Sequence, residues 1–428
     1  KWFMLSFRGK LVFSILLLDL LVQGLEHCKN GLICPNGNTC CNGGCIASDL
    51  GPLGGTCCDD GRTGCGSGYL CASKSFCLAT SKVTDPLVQI LPRYRLCHPQ
   101  PKTLETLHGF PIHPVYKLAY FSSHGDISSS TNIKDVDYIF IAIHGATRNA
   151  DDYFCAASEA VALQQIYQNV LVIVPFFAAI VDGPLRLSEG GTALRWRTEE
   201  DSNGPWRYGA RSTEPLQVSS FDILDRMIMS LLERTASFIS IFGHSSGAQF
   251  VQRWSLLTMV DSKRWKVVVA NPSSYAYLTP LRKLHGQWNK PINICSRYNE
   301  WEWGLDDSKH LDDDYKKRSV TNHTIEWIIE RYRSRHVTYM IGMLDQCNVT
   351  VGWCDSHGLE TSCMDEVQGS NRVERHFNFI ESLASIGIDN HVRISVKGVG
   401  HDHSLMMQSP EGLFAIFGAF KTVKNQIS

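Results

Sequence analysis

From about residue 113 onward, short runs of aliphatic and aromatic residues alternate with longer amphipathic stretches. No other property of the chain restricts its fold as much. The runs 115–121, 138–144, 170–174, 238–242, 265–270, 337–344 and 391–396 have strand length. The stretches 151–167, 221–233, 247–259, 372–385 and 410–424 carry helical spacing. Apolar runs without polar alternation indicate strands covered on both faces, and helices between strands supply the crossovers that parallel pairing needs. The predicted fold class is therefore α/β, a doubly wound, mostly parallel sheet. The stretch 182–218 breaks the rhythm. It is polar and Gly-rich, carries Trp196 and Trp206, and reads as an insertion over the sheet edge or an ordered loop.

Gly243, His244, Ser245, Ser246 and Gly247 spell G-x-S-x-G directly after the run 238–242 and before a helix-compatible segment. Strand, tight turn and helix is the setting that holds a serine out from a sheet as a nucleophile. Such a turn needs small neighbours, because a Cβ at position 243 or 247 would crowd the backbone. The Ser246 amide would then stand at the positive end of the next helix.

A serine hydroxyl attacks only when a base takes its proton, and the base is oriented by a third group. Asp345 closes the apolar run 338–344, and His401 follows the run 393–396 across a Gly-rich turn. Both positions fall at strand ends, in the order Ser, Asp, His along the chain. Asp355 and Asp365 are alternatives for the acid, His403 for the base, and Asp402 reads as a loop-shaping residue. An oxyanion would need two donors: the amides of Ser246 and of Ala146, which follows His144 and Gly145 after the run 139–143. Asn271, Pro272, Ser273, Ser274 and Tyr275 also follow a strand and would either line a pocket or merely end that strand. Trp301 and Trp303 read as packing residues. Cys347, Cys354 and Cys363 crowd the segment after Asp345, where a disulfide among them would brace the loop.

The N-terminal quarter obeys other rules. Ten of the 16 cysteines lie between Cys28 and Cys77, among few large apolar residues. Crosslinks must hold such a segment, which predicts a disulfide-rich module made in an oxidising compartment. Only His27 lies near these cysteines, and zinc-ribbon spacing is missing. Arg8 and Lys10 precede the apolar run 11–18, and Val22 and Gly24 are small. This is a secretory signal pattern; retained, it would be a membrane anchor. Pro86, Pro92, Pro99, Pro101 and Pro111 indicate a linker or strap. The expected organisation is a signal peptide over 1–24, a Cys-rich disulfide module over 25–80, a linker or strap over 81–112, and the α/β domain over 113–428. Sequons at Asn322 and Asn348 fit a secreted glycoprotein. A formal net charge of -1 gives no basic footprint for nucleic acid.

The large domain resembles the α/β-hydrolase fold family, and within it a group of secreted or predicted hydrolases from bacteria and fungi. The likeness lies in five phrases: His144-Gly145-Ala146-Thr147-Arg148-Asn149-Ala150-Asp151-Asp152-Tyr153, Gly243-His244-Ser245-Ser246-Gly247-Ala248-Gln249-Phe250, Asn271-Pro272-Ser273-Ser274-Tyr275, Gln368-Gly369-Ser370-Asn371-Arg372 and Gly398-Val399-Gly400-His401-Asp402. It covers about residues 113 to 425 and leaves out the Cys-rich module. The resemblance implies serine esterase or lipase-like chemistry with Ser245, Asp345 and His401 as the triad. Such chemistry needs no metal or organic cofactor. The substrate expected is a small or polymeric ester. A rival reading makes the fold an inactive scaffold on which the Cys-rich module binds a glycan or protein. Another keeps acyl transfer but makes the enzyme a peptidase or acyltransferase, a difference that lies in the pocket.

Overall fold

The structure, a computed structural model, describes residues 106–197, 205–213, 215–306, 311–347 and 358–418, together with the backbone of eight short strands between residues 26 and 79. The chain divides into two compact units, Lys1–Pro101 and Lys102–Ser428. In the first, the eight strands pair as four antiparallel ladders: Glu26–His27 with Ile33–Cys34, Asn38–Cys41 with Gly44–Ala47, Thr56–Cys57 with Gly64–Cys65, and Tyr69–Ser73 with Phe76–Ala79. The expected signal peptide and the cysteine side chains of the module lie outside the described residues.

The second unit is built on a nine-stranded sheet. Its strands are β1 (His108–Pro111), β2 (Tyr116–Ser122), β3 (Tyr138–Ile143), β4 (Val170–Phe176), β5 (Phe238–His244), β6 (Trp265–Ala270), β7 (Val337–Gly342) and β8 (Val392–Val396), plus a two-residue edge strand, Thr192–Ala193. From that edge the order runs β2, β4, β3, β5, β6, β7, β8, and β1 pairs with β2. All neighbours from β4 to β8 are parallel; β2 runs antiparallel to both β1 and β4. The seven strands read from the apolar runs are all present. The two additional strands are β1, in the proline-rich stretch, and the edge pair Thr192–Ala193.

Helices cover both faces. They are α1 (Ala150–Leu163), α2 (Ser220–Arg234), α3 (Ser246–Leu257), α4 (Ile325–Arg333), α5 (Arg372–Ser385), α6 (His403–Gln408) and α7 (Pro410–Phe417). Successive strand residues point to opposite faces. Ile139, Ile141 and Ile143 of β3 join Ile239, Ile241, Val267 and Val269 in a core with Phe221 and Leu224 of α2 and Phe250 and Trp254 of α3. On the other face, Tyr138 and Phe140 meet Phe417 of α7. Each fully buried Ile or Val here contributes about 1.5–3 kcal/mol relative to exposure. Ser219 caps α2 by accepting from the Phe221 amide, and Asn371 caps α5 by accepting from Glu374.

The segment 182–218 is anchored from beneath. Trp196 and Trp206 are completely buried, and Trp206 stacks on Phe177 with centroids 5.1 Å apart. Cys363 does not bridge to a neighbour in its own segment. It pairs with Cys295, across 68 residues, and Cys347 is also disulfide-bonded. No helix among the described residues is long and apolar enough to cross a membrane.

Candidate active site

Ser245 sits between the end of β5 and the start of α3 with φ 58° and ψ -122°. A non-glycine residue there costs on the order of 1–3 kcal/mol and persists only where its surroundings force it. The surroundings do so. The Ser245 amide donates to the Ala270 carbonyl at 3.1 Å, and its own carbonyl accepts from Ala248 and Gln249. The flanking glycines have no alternative. A Cβ on Gly243 would lie 2.2 Å from the Gly247 carbonyl oxygen, and one on Gly247 would lie 2.2 Å from that of Ile143. Ser246, the first helical residue, carries one of the α3 amides that lack an intrahelical acceptor.

Asp345 and His401 meet. His401 Nδ1 lies 2.7 Å from Asp345 Oδ2, and both side chains are buried. An ionised carboxylate can only accept, so Nδ1 carries the proton and Nε2 is the basic nitrogen. Two further residues hold the acid. Asn271, at φ 52°, donates from Nδ2 to Asp345 Oδ2 at 2.7 Å and to the Gly400 carbonyl at 3.2 Å, while its Oδ1 accepts from the Gly342 amide. Arg372 Nη1 stands 3.5 Å from Asp345 Oδ1. Burial alone would raise the Asp345 pKa. The His401 hydrogen bond, the Arg372 and His401 charges and the Asn271 amide overcome that and hold it below the usual carboxylate range.

The phrase from Gln368 to Arg372 thus has a physical role. Gln368 brackets Tyr275, accepting from its amide at 2.9 Å and donating to its carbonyl at 3.0 Å, and Arg375 donates to the Ser273 carbonyl. These contacts fix the loop after β6 that carries Asn271.

The loop after β3 lies against the serine. A Cβ on Gly145 would stand 3.6 Å from Ser245 Cβ. His144 is buried, and its Nε2 accepts from the Phe177 amide at 3.0 Å, so Nδ1–H donates to the Gly145 carbonyl at 2.9 Å. Burial lowers the His144 pKa to about 4, keeping the ring neutral near pH 7. In a trans peptide the C=O and the next N–H point in opposite directions, so Ala146 N–H points away from His144. Trp206 packs edge-on to the His144 ring at 4.8 Å. Arg148, at φ 54°, clamps the loop to Asp182 through two hydrogen bonds of 2.8 and 3.1 Å.

The alternatives fall elsewhere. His403 opens α6, with its Nε2 3.5 Å from Asp152 Oδ2, and Asp402 caps that helix by accepting from Leu405. Asp365 accepts from Trp303 Nε1 and pairs with Ser362. Trp301 is core and donates to the Tyr208 carbonyl. Asp355 and Asn348 lie outside the described residues. Among the described residues no cluster of His, Cys, Asp or Glu could hold a metal ion.

An antiparallel β2 leads a parallel series in which β4 precedes β3, and the strained serine turns the middle strand into its helix. The fold is that of an α/β-hydrolase. No protein-family model matches the chain, and no curated protein matches its sequence. Solved structures similar to it include a poly(3-hydroxybutyrate) depolymerase from Bordetella parapertussis (18% identity, TM-score 0.45, 69% of this chain and 85% of that one). A poly(aspartic acid) hydrolase-1 from Sphingomonas sp. KT-1 also matches, at 18% identity and TM-score 0.45, over 71% of this chain and 96% of that one. An esterase from Pyrococcus furiosus matches at 15% and 0.33, over 68% and 81%. These similarities are distant.

Proposed function

We propose that this protein is a secreted serine hydrolase that cleaves carboxylic esters through an acyl-enzyme. Ser245 Oγ attacks the ester carbonyl while His401 Nε2 takes its proton. Asp345 holds the imidazole by Nδ1 and favours the imidazolium that forms. The amides of Ser246 and Ala146 donate to the tetrahedral oxyanion. His401 protonates the departing alkoxide, then activates the water that releases the acid. The observation that carries this reading is the 2.7 Å bond between His401 Nδ1 and an Asp345 carboxylate that Asn271 also holds. A histidine serving only to fill the core needs no buried, ionised partner oriented by two further side chains.

The substrate in this reading is a small or polymeric ester. Residues 1–24 act as a signal peptide, 25–80 as a disulfide-stapled module that engages a glycan or protein, and 81–112 as the connection to the hydrolase domain. Asn322, which is exposed, would carry a glycan.

A fluorophosphonate probe tests the chemistry. The wild type should be labelled and should turn over p-nitrophenyl esters. Ser245→Ala should lose labelling and at least about 10⁴-fold in rate. Labelling that survives Ser245→Ala removes this serine as the nucleophile.

A further inference from the structure

Tyr153, on the first turn of α1, is buried, and its hydroxyl faces two loops at once. Its oxygen lies against Gly145, 3.0 Å from where a Cβ on that glycine would stand. It also lies 3.1 Å from His244 Nδ1. His244 is the variable residue of the G-x-S-x-G turn, immediately before Ser245, and its ring lies 4.5 Å from that of His401. The aromatic face of Tyr153 is occupied as well. The His403 ring stacks on it at 4.0 Å with an interplanar angle of 8°. Three separate loops therefore close on one side chain: the oxyanion loop through Gly145, the nucleophile turn through His244, and the base-bearing loop through His403, two residues past His401.

Resting on the hydrolase reading above, we propose that Tyr153 is a positioning residue for the reaction: its hydroxyl, bonded to His244 and set against Gly145, fixes the distance between the Ala146 amide and Ser245 Oγ. The Gly145 carbonyl is held by His144 and its Cα is backed by the Tyr153 hydroxyl, which together restrain the following peptide. An oxyanion donor works only when aimed at where charge develops, and a displacement of about 1 Å costs on the order of 10²-fold in rate. His403 thereby has a role distinct from that of a base: its stacked ring, paired with Asp152, fixes the plane of Tyr153.

The test compares the full-length wild type with Tyr153→Phe, which keeps the stacked ring and loses the hydroxyl with its His244 bond and its packing on Gly145. His244→Phe serves as a second variant; it keeps a ring beside His401 and loses the Nδ1 contact with Tyr153. Steady-state kinetics on a p-nitrophenyl ester are read beside the Ki of a trifluoromethyl ketone. Ser245 adds to that carbonyl to give an anionic hemiketal, with its proton passing to His401. Tyr153→Phe should lower kcat about tenfold or more with KM within about twofold. The ketone should bind more weakly by the same factor as the loss in kcat/KM, and Ser245 should still react with fluorophosphonate. A purely structural role would lower thermal stability without this match. If kcat and the ketone Ki stay within about twofold of wild type in whichever variant folds, the proposal is overturned. Ser245→Ala keeps the two questions apart: full turnover by that variant would overturn the hydrolase reading and this proposal with it, whereas its inactivity beside an unimpaired Tyr153→Phe overturns the Tyr153 proposal alone.

Discussion

Asn271 donates from Nδ2 to Asp345 Oδ2 at 2.7 Å, the same oxygen that His401 Nδ1 reaches. One carboxylate oxygen is thereby shared between a backbone-strained amide and the imidazole. Asn271→Gly keeps the positive φ and removes the amide. It should lower kcat about tenfold to a hundredfold by freeing Asp345 to rotate, while folding stays intact. Asn271→Asp should do more damage. A second carboxylate against Asp345 would repel it and raise its pKa, so activity should be lost and the melting temperature should fall at neutral pH. Parallel kinetics and thermal melts of the two variants check this. Equal activities in Asn271→Gly and wild type would exclude an orienting role.

The elbow glycines make a sharper prediction about folding. An added Cβ at either site would stand only 2.2 Å from a carbonyl oxygen, so Gly243→Ala or Gly247→Ala must move backbone rather than a flexible side chain. Both substitutions should cost at least about 3 kcal/mol, seen as a loss of soluble yield or a large drop in melting temperature. At Gly183 and Gly190 nothing lies within 4 Å of an added Cβ, so crowding cannot contribute. Alanine there should cost only what the positive-φ backbone imposes, on the order of 1–3 kcal/mol.

Much of this arrangement was legible because strands and their ends declare themselves. Branched aliphatic runs marked seven strands, and Ser245, Asp345 and His401 each follow one of them. What the residues could not disclose were contacts made only in space. Arg372 lies 27 positions from Asp345 at the start of α5, and nothing local marks it as that carboxylate's partner. Strand β1 was hidden because it sits among prolines and is only four residues long. Trp206 was obscured by its polar neighbours, although its buried ring packs on His144 and supports the loop after β3. Asn271 carried half a signal: its place after β6 put it at the correct sheet edge, but its bond to Asp345 depends on a left-handed φ that sequence does not reveal.

Cys295 and Cys363 pin the segment after Asp345 to a distant loop, closing 68 residues. By chain entropy such a crosslink contributes about 4 kcal/mol through the unfolded state. The double variant Cys295→Ser, Cys363→Ser should therefore melt at clearly lower temperature than wild type. The two should converge when both are melted under reducing conditions. A double variant as stable as oxidised wild type would mean that the bridge adds nothing to the fold.

Glu159 of α1 gives stability a pH dependence of defined sign. It is mostly buried and accepts from Gln408 Nε2 at 2.7 Å. Burial, opposed by that hydrogen bond and reinforced by Asp152, raises its pKa to about 7 from 4.5. Between those values the unfolded chain has released the proton while the folded protein keeps it, so stability falls as pH rises. The stabilising contribution is complete below about pH 4.5 and is lost by about pH 7, a swing of up to roughly 3 kcal/mol. Glu159→Gln preserves an acceptor for Gln408 and cannot ionise. Its free energy of unfolding should exceed that of wild type at pH 8, and the difference should shrink by pH 5. Denaturant unfolding at the two pH values measures it, and a difference independent of pH would mean that Glu159 titrates normally in the folded protein.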